Sequence, residues 1–175
     1  MANPAIERRE QERAAIDVDV SGVRLNLRDA ALDWSYVPGS ADVPADGAAV
    51  VDLKRLAETP ARGVRLMPED DARTLADHLP RLDLIDLVFP KFRDGRAYSS
   101  ARILRDCLGY TGALRAVGDV LADQIAFMAR CGIDQFVLNP AVSAEAAKAA
   151  LDRYAYVYQR GSDPRAPVWH LRRSS

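Results

Sequence analysis

Four short apolar runs, residues 63–67, 84–89, 113–117 and 135–138, recur along the chain and alternate with helical patterns. Such alternation predicts parallel βα units. The helices carry recognisable ends. Glu69, Asp70 and Asp71 place negative charge in a first turn, Gly109 and Gly132 stand where C′ glycines belong, and Asp119 and Ser143 are candidate N-caps. The alanine-rich stretch 143–158 reads as a last helix, stopping before Gly161, and residues 162–175 as a polar extension holding Trp169. Upstream, residues 18–27 alternate around Ser21-Gly22 as a hairpin or two short strands, and residues 37–47 have loop punctuation. Residues 50–57 read as a short strand running into a helical turn closed by Thr59-Pro60.

Side chains on a strand alternate between faces. One face carries Val64, Leu66, Ile85, Leu87, Phe89, Leu114 and Ala116, where the helices should pack. The other carries Arg65, Asp86 and Arg115 at similar depth, with Met67, Val88 and Val117 nearer the strand ends. Parallel strands covered on both sides are nearly continuous apolar runs, and these are not. The expected fold is therefore α/β: a parallel four-stranded βα repeat with helices on one side, resembling half a (βα)8 barrel, plus a small N-terminal β segment. A flavodoxin-like open sheet is the alternative. The expected organisation is an arm over residues 1–16, a β/loop segment over 17–61, a core over 62–160 and an extension over 161–175. The polar strand face needs cover from the N-terminal segment or a second subunit, so a homodimer, or docking on a partner, is expected.

With 175 residues, 49% of them hydrophobic, the chain suffices for one well-buried core. No apolar run approaches the roughly 20 residues that cross a bilayer, and the N-terminus is charged where a signal peptide would be apolar; a cytoplasmic location is expected, with no membrane contact. Cys107 and Cys131 are single and far apart, as core thiols would be, and His78 and His170 are isolated.

Charge changes the picture locally. Against a net charge of −1, residues 89–119 hold Lys91, Arg93, Arg96, Arg102, Arg105 and Arg115. Lys91, Arg93 and Arg96 follow one strand and precede a helix, where a small oxyanion or phosphate is the expected tenant; Arg102 and Arg105 read as a solvated helix face with ion pairs. Active sites of parallel βα sheets lie at the strand carboxyl ends, so Lys91, Arg93, Asp94, Arg96, Asp119 and Asn139 should share one rim. Asp119 and Asp123 are i, i+4 neighbours that suit a metal, an arginine or, for Asp119, a helix cap; Gln124 is a polar residue within an apolar arc. Asp86 and Arg115 form either a buried pair or part of a charged pocket.

The stretches FPKFRDGRAYSSARILR and GYTGALRAVGDVLADQIAFMARCGIDQF, with the closing YAYVYQ, resemble the bacterial family called domain of unknown function 934. The likeness is dense over residues 89–159, weaker through GVRLMPEDD and the segment near Val50, and so extends over most of the chain after the first 15 or so residues. Matching positions include Lys91, Asp94, Arg96, Tyr98, Arg102, Arg105, Arg115, Asp119, Asp123 and Gln124. The chain departs at Ile125-Ala126, where the family often has bulkier residues, and at Ala113, where a glutamate is common; that position is therefore not catalytic here. The resemblance implies a place beside assimilatory sulfite reductase, in sulfur assimilation, and carries a family label of oxidoreductase without a mechanism.

No dinucleotide or Walker loop, cysteine set for an iron–sulfur cluster, or nucleophile–histidine constellation is present in the sequence, so no cofactor is expected. Near-neutral charge disfavours nucleic acid. The leading expectation is an accessory protein of sulfite assimilation that binds sulfite, sulfate or a phosphate-like anion, with Lys91, Arg93, Arg96 and Arg115 as ligands and Asp94, Tyr98, Arg102, Asp123, Gln124 and Asn139 in support. The alternative is a small enzyme acting on an anionic sulfur metabolite through Lys91, Arg96 and Asp119.

Overall fold

The computed structural model describes residues 15–19, 22–28 and 34–171. Among the described residues, seven strands form one sheet: β1 (Ala15–Asp19), β2 (Gly22–Asn26), β3 (Val50–Asp52), β4 (Gly63–Leu66), β5 (Leu84–Phe89), β6 (Ala113–Gly118) and β7 (Gln135–Val137). Their spatial order is β1-β2-β7-β6-β5-β4-β3. Strands β3 to β7 are parallel and sequential, while the β1–β2 hairpin joins β7 antiparallel. The parallel set therefore has five strands instead of the expected four. Residues ahead of position 62 build both edges of the sheet, the hairpin on one side and β3 on the other.

Sequential order has a direct consequence for layering. Each right-handed crossover to the next neighbour places its connection on the same side of the sheet. A doubly wound sheet of the flavodoxin kind requires a reversal of strand order. None occurs here, which rules out that alternative. The helices are α1 (Arg96–Arg102), α2 (Ala122–Arg130), α3 (Ala144–Asp152) and the single turn α4 (Val168–Leu171). Ala97, Ala101 and Leu104 recur at helical spacing, as do Ile125, Met128 and Ala129, and all join Val51, Val64, Leu66, Ile85, Leu87, Phe89, Leu114 and Phe136 in the main core. The apolar strand face read from the sequence is thus the helix-covered face.

Local signals explain the element ends. Ser143 caps α3 by accepting from the Ala146 N–H at 3.2 Å, while Gly109 and Gly132 turn the chain at φ +65° and +90°. After α1 the coil widens to a π segment, Ile103–Cys107, before Gly109. Between β4 and β5 the expected helix is reduced to two 3-10 turns, Ala72–Leu75 and Leu79–Arg81; Asp71 accepts from the Arg73 N–H, and Pro80 lies in the second turn.

Three expectations are corrected here. The last long helix ends at Asp152 instead of reaching Tyr158, because Tyr154, Tyr156 and Tyr158 follow a period of two, with Val157 bridging Pro167. The start of the extension beyond Gly161 is tied down: Ser162 N–H donates to the Arg130 carbonyl at 2.9 Å, Ser162 Oγ donates to Asp106 at 2.8 Å, and Asp163 pairs with Arg130 and Arg165. Cys107 is exposed and so is not a core thiol, while Cys131 is half-buried against the main core.

Candidate functional site

Strand register assembles a polar row on the sheet face opposite the helices. Asp52, Arg65, Asp86, Arg115, Gln135 and Asn26 are successive cross-strand partners from β3 to β2. Asp86 is 0% exposed and Arg115 5%. Arg115 Nε donates to Asp86 Oδ1 at 2.7 Å, and Arg65 Nη2 donates to Asp86 Oδ2 at 2.9 Å. A carboxylate buried between two guanidiniums satisfies the requirement that interior charge be paired. Of the two readings of Asp86 and Arg115, the structure selects the buried pair.

Residues 34–37 strap over this row. Trp34 O accepts from Arg115 Nη2 at 3.0 Å, and the Tyr36 ring lies 3.7 Å from the Arg65 guanidinium carbon. Tyr36 Oη donates to Asp52 at 2.7 Å, and this bond, followed by burial, holds the phenol above its ordinary pKa. Trp34 and Tyr36 also pack on Val50, Leu84 and Ala113. Ala113 is therefore core beneath the strap.

The rim at the carboxyl ends of β5, β6 and β7 is organised by Asp119. Its Oδ2 accepts from the Phe92 N–H at 3.1 Å and its Oδ1 from Asn139 Nδ2 at 3.0 Å. Gln124 Nε2 donates to the Phe92 carbonyl at 3.0 Å. Asp119 thus joins the loop after β5 to the end of β7 and does not cap α2, whose N-cap is Leu121. Gly118, at φ +103°, permits this approach, since a Cβ there would overlap the Phe89 carbonyl.

The candidate cations divide. Lys91 and Arg93 are exposed and have no carboxylate within ion-pair distance among the described residues. Arg96 closes on Asp94, with Nε to Oδ1 at 3.0 Å and Nη2 to Oδ2 at 2.7 Å; this bond holds the Asp94 carboxyl below its usual range. Arg115 belongs to the polar row and not to the rim, about 13 Å along the chain from Asp119 at strand rise. Arg102 pairs with Asp106 at 2.5 Å on the exposed helix surface. Asp123 is exposed on α2. Tyr98 packs edge-on against Phe89, ring centroids 5.3 Å apart, and burial pushes its phenol up to about 12. No metal-binding cluster of His, Cys, Asp and Glu occurs among the described residues.

Two features escaped the sequence reading. Arg105, expected on a solvated helix face, does form an ion pair but is instead a half-buried hub, donating to the carbonyls of Gly132, Tyr110 and Gly112 and to Asp134. Arg28 also reaches Asp134, at 2.7 Å; only the meeting of β2, β6 and β7 reveals the cluster. The second is Phe92, which stands 48% exposed on the rim loop. Its position between Lys91 and Arg93 was the available signal.

No helix among the described residues is long and apolar enough to cross a membrane. No curated protein matches the chain. A family pattern does match, that of the group described as Bacterial protein of unknown function (DUF934), over residues 63–169. The match starts at Gly63, so it excludes the segment near Val50 and the strap, and includes the rim and four members of the polar row. It spans more than half of the 175 residues, and the chain belongs to this DUF934 family.

Proposed function

We propose that this protein is an accessory component of assimilatory sulfite reduction that binds a small oxyanion on the loop after β5. The supporting observation is the pair of cations Lys91 and Arg93, uncompensated among the described residues, at the carboxyl end of a parallel strand, on a loop whose Phe92 N–H and carbonyl are both held by side chains. Cations on a fixed loop lose little freedom on binding an anion. Arg96, already engaged by Asp94, contributes through rearrangement of that exposed pair. The pathway rests on the resemblance of the rim motifs. The enzymatic alternative is weaker, because Asp119 has both oxygens in structural hydrogen bonds and Arg96 is paired. The sequential sheet serves as a half-barrel-like frame, and self-association through the Met67 end of its polar face completes the reading; sedimentation as a monomer would remove that last element.

The test is deletion of the gene in its host. Growth on sulfate should fail while growth on cysteine persists, and a Lys91→Ala/Arg93→Ala copy should not restore it. Unaffected growth on every sulfur source would sink the pathway. Calorimetry with sulfite and sulfate tests the site separately: the double variant should lose about 1.5–3 kcal/mol of binding per charge-assisted contact removed, and unchanged affinity would remove this loop from the site.

A further inference from the structure

The exposed aromatic side chains stand on segments that are bonded or packed to one another in turn. Phe92 is 48% exposed, Phe127 56% and Tyr156 67%, with Tyr154 and Tyr158 also in solvent. Their continuity is structural. Gln124, which holds the Phe92 carbonyl, is the i, i+3 neighbour of Phe127 on α2, and the Phe127 and Tyr154 ring centroids are 6.3 Å apart. Beyond Tyr154, the chain carries Tyr156 and Tyr158 to Trp169, whose Nε1 donates to the Tyr158 carbonyl at 3.0 Å.

These rings stand on fixed backbone. Phe92 is bound through its N–H and its carbonyl. The tyrosine segment is held by the Val168 N–H to the Val157 carbonyl at 2.8 Å and by Arg130, which bonds the Gln159 carbonyl and Asp163. Rigid aromatics bordered by arginine are the usual composition of protein-binding hot spots, because they supply area at small entropic cost.

Charge decides the occupant. Lys91 and Arg93 adjoin Phe92 in sequence, Arg153 adjoins Tyr154, and Arg160 lies over the Trp169 ring at 5.7 Å; all four are exposed, against the nearby exposed carboxylates of Asp123 on α2 and Asp152. A second copy docked on the same surface would set this surplus of cations against itself. We propose that the Phe92–Tyr158 stripe is the docking surface for a different protein, one presenting an apolar groove rimmed by Asp and Glu. This inference does not depend on the anion reading.

The test uses the full chain in its host, with the photo-crosslinking residue p-benzoylphenylalanine placed at Phe127, at Tyr156 and, as a control near the opposite sheet edge, at Glu58. The same partner should be identified by mass spectrometry at both stripe positions and not at Glu58. With that partner purified, Phe127→Ala and Tyr156→Ala should each weaken binding about tenfold without lowering the melting temperature, and added salt should weaken it further. Adducts only with a second copy, with lipid or with RNA, adducts equal to those at Glu58, or none at all, would overturn the proposal. So would an affinity indifferent to both substitutions.

Discussion

Replacing Asp86 by alanine should be among the most damaging single changes in the sheet. The carboxylate is 0% exposed and accepts from Arg115 Nε at 2.7 Å and from Arg65 Nη2 at 2.9 Å and Nε at 3.3 Å. Its loss affects the two arginines unequally. Arg65 keeps its stacking on Tyr36 and, with its side chain 21% exposed, can recruit water. Arg115, at 5% exposure, keeps the Trp34 carbonyl but loses its bond to the Asp86 carboxylate. Stranding one buried partner of an ion pair costs about 3–5 kcal/mol, a large share of the 5–15 kcal/mol typical of a whole domain. The double change Asp86→Leu with Arg115→Leu should recover much of that, since the buried guanidinium is removed together with the carboxylate. Urea unfolding followed by circular dichroism measures both. A cost below about 1 kcal/mol for Asp86→Ala, or a double variant no better than the single, would refute the reasoning.

Gly118→Ala should destabilise by about 1–3 kcal/mol or more, because φ +103° is strained for alanine and the new Cβ meets the Phe89 carbonyl; an unchanged melting temperature would count against this. Asp119→Ala should cost about 1–3 kcal/mol by leaving the Phe92 N–H and Asn139 Nδ2 without their acceptor, and should speed hydrogen exchange at the Phe92 amide, which Asp119 now holds; protection equal to the parent's would remove Asp119 as the organiser of the rim. Burial pushes the Tyr98 phenol up to about 12 and raises Tyr110 in the same direction. The unfolded chain therefore releases these protons first, from about pH 10, and stability is lost as pH rises through the folded value near 12. Tyr98→Phe should flatten that loss; an identical pH profile of unfolding would contradict it.

What the sequence determined by itself was periodicity. Val64, Leu66, Ile85, Leu87, Phe89, Leu114 and Ala116 were legible as one buried face because strand side chains alternate whatever the strands pair with. The hairpin near Ser21-Gly22, the Ser143 cap and the turns at Gly109 and Gly132 were legible for the same reason, each being a local backbone requirement. Tertiary structure alone decided partnership. Asp119 has the sequence position of a cap, yet its oxygens are taken by Phe92 and Asn139, residues 27 and 20 positions away. Lys91, Arg93, Arg96 and Arg115 look alike in sequence, yet Asp94 engages Arg96 and the β5–β6 register gives Arg115 to Asp86. Asn26, Gln135 and Asp52 joined the polar row only when their strands took their places in the sheet. An ion pair or hydrogen bond is set by distance in space, and a single sequence records distance only along the chain.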